Sequence, residues 1–143
     1  MAEAFKAELT VRSDVEELEK VRDFVSQAAK RFGFEERDGY NIVLAVDEAC
    51  SNIIRHGYDQ NANAKLRIAI ETIGDSFVVT LNDSGKTYDL RLHQLPDMPA
   101  HLAARKRGGL GIMLIRSLVD DVEYERIDGE NKLVLIKRRP ASR

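Results

Sequence analysis

The chain is best interpreted from one segment, Asp47-Glu48-Ala49-Cys50-Ser51-Asn52-Ile53-Ile54-Arg55-His56-Gly57-Tyr58. Three of its polar residues, Glu48, Asn52 and His56, recur at every fourth position, so a helix would align them in one polar stripe. Apolar residues surround this stripe and predict a helix that packs on a core. A carboxylate and a carboxamide one turn apart can belong to a binding pocket, or they can lie on a solvated helix face. Taken alone, the segment does not decide between these two interpretations.

The composition favours a single cytoplasmic domain that covers residues 1–143. The net charge is −2, from 22 basic and 24 acidic residues, whereas a direct nucleic-acid binder usually has a basic excess. The one cysteine, Cys50, excludes an internal disulfide, fits a reducing compartment and is predicted to lie in the core. The sequence lacks a signal-peptide segment and any apolar run near the roughly 20 residues that span a bilayer. We therefore expect neither a membrane nor a nucleic-acid partner.

Hydrophobic periodicity predicts an α+β fold. Strands are expected near residues 5–11, 65–70, 77–81, 122–127 and 132–137, and helices near 14–32, 36–56 and 109–118. Ser13 and Glu16 have the spacing of a capping box at the start of the first helix. Gly74-Asp75 is predicted to be a two-residue hairpin turn, and residues 128–131 a longer connection. The element order predicts a two-layer α/β sandwich, in which three helices cover one face of a mixed five-stranded sheet.

Two further segments carry chemistry that a nucleotide site requires. Asp83-Ser84-Gly85 follows a strand, and a carboxylate at that point can accept a hydrogen bond from the exocyclic amino group of adenine. An ordinary turn is the alternative interpretation. Arg107-Gly108-Gly109-Leu110-Gly111 opens a helix, where glycines expose backbone amides to phosphates. A flexible hinge is the alternative there. In the stripe itself, Asn52 offers a carbonyl oxygen to Mg²⁺ and Glu48 a general base.

The three motifs together resemble the GHKL ATPase superfamily, which includes gyrase and the histidine kinases. The shared pattern is E-x-x-x-N on a helix, D-x-G after a strand, a variable lid, and G-x-G at the start of a helix. Within the superfamily, residues 48–58 are most similar to the corresponding helix of the small stand-alone anti-sigma-factor serine kinases. The resemblance extends from Phe5 to about Arg138. It implies the Bergerat ATP-binding fold, with a lid at about residues 84–107.

The resemblance also implies roles for individual residues. Glu48 corresponds to the catalytic base and Asn52 to the Mg²⁺ ligand of a site that binds ATP. Asp83 corresponds to the adenine-binding residue, with Gly85 beside it. Gly109 and Gly111 correspond to the glycines near the phosphates, and from their positions beside these glycines Arg107, Gly108 and Leu110 are also expected to contact the nucleotide. His56 is interpreted as the end of its helix.

For function, the resemblance implies an ATP-dependent protein-serine kinase. Such a kinase phosphorylates a small antagonist protein of the STAS type, sequesters a sigma factor, and is usually a homodimer. The first strand and first helix are the candidate dimer surface. The alternative is an ATP-sensing module that sequesters a partner protein without phosphotransfer.

Overall fold

The computed structural model describes residues 4–57, 64–84 and 109–140. The strands are β1 (Lys6–Arg12), β2 (Lys65–Ile73), β3 (Ser76–Asp83), β4 (Asp121–Ile127) and β5 (Glu130–Arg138). The helices are α1 (Leu18–Phe32), α2 (Glu36–Gly57) and α3 (Gly109–Leu118), and a 3₁₀ turn (Val15–Glu17) precedes α1. These elements confirm the predicted α+β fold. Within the described ranges, no helix has the length and apolarity needed to cross a membrane.

The sheet has the strand order β1-β2-β3-β5-β4, and each neighbouring pair of these strands is antiparallel. The prediction of a mixed sheet was therefore wrong in this detail. The connection from β3 through α3 to β4 does return the chain in the same direction. However, the β4–β5 hairpin places β5 between β3 and β4, so the two parallel strands are not neighbours.

The core lies between one face of the sheet and the helices. Along β3 every second residue is buried, in the order Phe77, Val79, Leu81 and Asp83. Since side chains alternate across a strand, the carboxylate of Asp83 lies on the same side as the apolar core residues. At the far end of β3, the ring centroid of Phe77 lies 5.5 Å from that of Phe32 and 5.4 Å from that of Phe34. The strand thus runs from an aromatic cluster to a buried charge.

The first helical segment begins differently from its prediction. The side chain of Asp14, not that of Ser13, caps it, and its Oδ1 accepts a hydrogen bond from the backbone N–H of Glu16 at 3.0 Å. The Ser13 hydroxyl is instead buried, and among the described residues it has no hydrogen-bond partner. Asp14 is the cap in place of Ser13 because its carboxylate is also a preferred capping group and because it lies directly before the 3₁₀ turn. Gly33 ends α1 with a φ of 94°, as expected.

The two hairpin turns place the strands in register. Gly74-Asp75 joins β2 to β3 as predicted, with Gly74 at a φ of 58°. The second turn is shorter than predicted, because Asp128 and Gly129 alone form it, with φ values of 53° and 78°. Two consecutive positive φ angles are typical of the type I′ turn, which joins strands through two residues. Consequently β5 begins at Glu130, and Asn131 is a strand residue rather than a loop residue.

Candidate functional site

Asn52 lies on α2 and is completely buried. Its Oδ1 accepts a hydrogen bond from Nη2 of Arg55 at 3.2 Å. Its amide nitrogen, Nδ2, has no hydrogen-bond partner within the described part of the chain. A buried donor without an acceptor destabilises a fold by about 1–3 kcal/mol, and such groups occur where a ligand completes the site. Asn52 therefore does not belong to a solvated helix face.

Glu48 lies one turn before Asn52 on the same side of α2 and is partly exposed. Along this side of α2, exposure falls from the partly exposed Glu48 to the completely buried Asn52. Beside Glu48, the Asp47 carboxylate accepts a hydrogen bond from Nη1 of Arg22 at 3.0 Å, and this ion pair joins α2 to α1. The side chain of His56 lies outside the described residues.

Asp83 ends β3 and is only 5% exposed. Its Oδ1 accepts a hydrogen bond from Nδ2 of Asn131, at a distance of 3.0 Å. The Asp83 side chain is therefore buried at the end of a strand, whereas the alternative interpretation of Asp83-Ser84-Gly85 as an ordinary turn extends beyond the described residues. Gly85 itself lies outside the described residues. A buried carboxylate at a strand end can serve as a specific acceptor for a donor group of a ligand.

Cys50 lies on α2 between Glu48 and Asn52. The thiol is completely buried, as predicted. Burial raises the pKa of Cys50, and the negative charges of Asp47 and Asp83 raise this pKa further. Helix α2 also contacts β3, the strand that Asp83 ends. The structure thus brings Asp83 and the helix that carries Glu48 and Asn52 together.

The third motif lies at the start of α3, which packs against α2. Gly109 is the first residue of the helix, followed by Leu110 and Gly111. The first backbone N–H groups of a helix have no partner within the helix and attract anions. This helix start is therefore compatible with phosphate groups. Arg107 and Gly108 lie outside the described residues, as does nearly all of the predicted lid.

Asn131 and two residues that contact it, Tyr124 and Arg126, were not among the predicted site residues. Asn131 is 4% exposed, and its Oδ1 accepts hydrogen bonds from the Tyr124 hydroxyl and from Nη1 of Arg126. The missed signal was the Asp-Gly pair at 128–129, which is typical of a two-residue turn. This turn would have placed Asn131 in a strand, but its pairing with β3 could not be predicted.

The donor set on α2 is compatible with Mg²⁺. Within the described ranges, no group of three His, Cys, Asp or Glu side chains could hold a metal ion. Mg²⁺, however, commonly takes only one or two protein oxygens, and its other ligands are water and substrate phosphates. The carboxamide oxygen of Asn52 has two lone pairs, and Arg55 occupies one of them. The partnerless Nδ2 beside it could donate to a phosphate oxygen.

Comparison with known families agrees with this geometry. The family model "Histidine kinase-like ATPase domain" matches residues 11–137. The chain is similar to the serine-protein kinase RsbW of Halalkalibacterium halodurans, with 31% identity over 126 residues, which are 85% of this chain and 76% of that protein. It is also similar to the serine-protein kinase RsbW of Bacillus subtilis (strain 168), with 29% identity over 85% of this chain and 79% of that protein.

Among solved structures, the fold is similar to that of the RsbU and RsbW domains of Rv1364c from Mycobacterium tuberculosis. The TM-score is 0.68 at 19% identity, and the match covers 96% of this chain. This chain spans 34% of that larger chain. At this identity the likeness concerns the fold alone.

Proposed function

The chain belongs to the histidine kinase-like ATPase domain family and, within it, to the RsbW serine-protein kinases, and on this premise we propose that it is an ATP-dependent protein-serine kinase. We propose that it phosphorylates a small antagonist protein of the STAS type and sequesters a sigma factor. One observation carries the proposal. A buried carboxamide with a partnerless N–H, Asn52, lies one turn from an accessible carboxylate, Glu48, on a helix beside the buried Asp83.

In this proposal, Asp83 accepts a hydrogen bond from the amino group of adenine, next to Gly85. The phosphates lie at the start of α3, against the backbone of residues 108–111, and Arg107 contributes positive charge. Asn52 offers its carboxamide oxygen to Mg²⁺, which neutralises phosphate charge when it is bound. The amide nitrogen of Asn52, which has no acceptor among the described residues, donates a hydrogen bond to a phosphate oxygen.

Glu48 is the general base in this mechanism. Its carboxylate accepts the proton of a serine hydroxyl on the partner protein while the hydroxyl oxygen attacks the γ-phosphate. The bond between the γ-phosphorus and the bridging oxygen breaks, and ADP leaves. A partly exposed carboxylate suits this role, because the serine arrives on another protein and must reach it from solvent. Positioning and electrostatic stabilisation would supply most of the rate.

The substitution Glu48→Gln tests this assignment. It keeps the size of the side chain and removes its ability to accept a proton. We expect phosphotransfer from labelled ATP to the antagonist protein to fall by about 10²- to 10⁴-fold, since general base catalysis is lost. Binding of Mg-ATP, measured by calorimetry, should change little. Glu36→Gln, an exposed position at the start of the same helix, is the matched control and should keep full activity.

The same experiment separates the kinase from a module that binds ATP and a partner without phosphotransfer. A wild-type protein that binds Mg-ATP and a sigma factor, but transfers no phosphate to any antagonist protein of its host, would establish the second function. Full phosphotransfer by the Glu48→Gln variant would contradict only the role of Glu48 as the general base, and the proposed kinase function would stand.

We also propose that the protein is a homodimer and that β1 and α1 take part in the interface. β1 lies at one edge of the sheet, where unpaired backbone groups can meet a second chain. Sedimentation equilibrium of the wild-type protein tests the dimer. A monomer at micromolar concentration would contradict it.

A further inference from the structure

We propose that three residues of the β4–β5 hairpin, Tyr124, Arg126 and Asn131, position the Asp83 carboxylate and thereby select purines that carry a 6-amino group. We call these three residues the hairpin cluster. The inference rests on the proposed role of Asp83 in binding adenine. It adds positioning residues that lie on a hairpin outside the three sequence motifs.

The sheet register builds the cluster. Arg126 on β4 is the cross-strand partner of Asn131 on β5, and Asn131 is in turn the partner of Asp83 on β3. The three residues form one row across three strands, and a hydrogen bond joins each neighbouring pair. Tyr124 lies two residues before Arg126, on the same face of β4, and its hydroxyl donates to the same Asn131 oxygen.

The chemistry of the row determines how the Asn131 amide is oriented. Arg126 can only donate hydrogen bonds, so the Asn131 atom that lies 2.7 Å from its Nη1 must be the oxygen. The amide nitrogen therefore points to Asp83, whose carboxylate can only accept. An amide turned by 180° would set nitrogen against the guanidinium and oxygen against the carboxylate, so only one orientation is stable.

This arrangement has two consequences for a ligand. First, Asn131 holds Oδ1 of Asp83 in a buried environment, which restricts rotation of the carboxylate and orients its acceptor groups. Second, one of the two N–H groups of the Asn131 amide is engaged by Asp83, so the row offers one donor fewer to a purine with a carbonyl oxygen at position 6. Both effects favour a ligand that donates a hydrogen bond, as the amino group of adenine does.

The test compares two nucleotides by calorimetry on the full chain. One is Mg-ATP, and the other is the Mg complex of purine riboside triphosphate, which lacks the 6-amino group. For Asn131→Ala we expect about a tenfold weaker affinity for ATP, since a charge-assisted hydrogen bond to Asp83 is lost. The affinity for purine riboside triphosphate should change less than threefold, because this nucleotide makes no contact through a 6-amino group. The preference of the protein for ATP should fall accordingly.

Two further variants make the test specific. Tyr124→Phe removes only the hydroxyl and keeps the ring, so it should fold normally and reduce the preference for ATP by about two- to fourfold. Asn82→Ala is the matched control, because Asn82 precedes Asp83 on the same strand and points to the opposite face of the sheet. This control should leave both affinities unchanged.

The outcomes separate the two levels of the proposal. Equal losses for both nucleotides in Asn131→Ala and Tyr124→Phe would mean that the cluster has only a structural role, and would overturn the inference. Unchanged affinities in both variants would also overturn it, while the proposed function would stand if the wild type binds ATP. A wild-type protein that does not bind Mg-ATP would overturn both.

Discussion

Replacement of Asn52 by leucine should separate the stability of the fold from its function. Asn52 is completely buried, and its Nδ2 has no hydrogen-bond partner among the described residues. Leucine has nearly the same size and carries no polar atom. We therefore expect Asn52→Leu to stabilise the ligand-free protein and to abolish its binding of Mg-ATP.

The magnitude follows from two opposing contributions. Removal of a buried, partnerless donor should increase the free energy of unfolding by about 1–3 kcal/mol. Loss of the hydrogen bond from Arg55, which is 3.2 Å long and comes from an exposed side chain, should decrease it by about 1 kcal/mol. The net gain is about 1 kcal/mol. For a chain of 143 residues, this corresponds to an increase in Tm of roughly 3 °C.

Urea and thermal unfolding, each with and without Mg-ATP, measure both effects. A ligand that binds only the folded state at 100 times its Kd stabilises a protein by about 2.7 kcal/mol. The wild type should gain this stability and the variant should not, so their order of stability should reverse when the nucleotide is added. Asn41→Leu, at a partly exposed position on the same helix, is the control and should change stability by less than about 0.5 kcal/mol.

Two results would refute this reasoning. If ligand-free Asn52→Leu were less stable than the wild type by more than about 1 kcal/mol, the Asn52 amide would have a partner in solution. If the variant were still stabilised by Mg-ATP as strongly as the wild type, Asn52 would not belong to the nucleotide site.

Three further predictions concern the fold that supports the site. Phe77→Ala should lower the free energy of unfolding by about 3–5 kcal/mol in urea, because it removes the buried centre of an aromatic cluster; a loss below about 1 kcal/mol would contradict this. Gly129→Ala should cost about 1–2 kcal/mol from its φ of 78° alone, since no atom lies within 4 Å of the added carbon, and Gly129→Asn should cost less. Burial raises the pKa of Cys50 above its unfolded value of about 8.5, so the unfolded chain loses this proton first as pH rises. The resulting stabilisation is fully present below a pH of about 8.5 and is lost as the pH rises above that value. Above this pH, the free energy of unfolding of the wild type should fall more steeply than that of Cys50→Ala, by up to about 1.4 kcal/mol per pH unit. Equal slopes between pH 8 and 10 would contradict the prediction.

Much of the fold could be predicted from local patterns, because each element is determined mainly by its own residues. The bounds of α2 were correct to within one residue, since its apolar periodicity is strong and Gly57 ends it. The start of the first helical segment was wrong because Ser13 and Asp14 are both good caps, and their relative positions in the tertiary structure decide between them. The mixed sheet was wrong because strand order depends on contacts between distant segments, which periodicity does not contain.

The same distinction between local patterns and contacts of distant segments applies to the candidate site. Glu48 and Asn52 could be selected from the sequence because one helix presents both at a fixed spacing. Asp83 could be selected because it follows the predicted strand at residues 77–81 and begins the segment Asp83-Ser84-Gly85. Asn131 could not, since it was expected in a turn and reaches the site only through the pairing of β5 with β3, a strand distant in sequence. A register shift of one residue would turn the Asn131 side chain to the other face of the sheet.

This dependence on register connects stability to nucleotide selection. The same Asp128-Gly129 turn that joins β4 to β5 also sets which residue of β4 faces Asn131, the partner of Asp83. Residues at the other end of β3 act differently, because Phe77 packs in the aromatic cluster at the end of the strand opposite to Asp83. A strained turn and a weakened core should therefore have distinct effects. Gly129→Ala should lower the preference for ATP over purine riboside triphosphate more than its loss of stability would suggest, whereas a conservative core change such as Val79→Ala should lower stability and leave that preference intact.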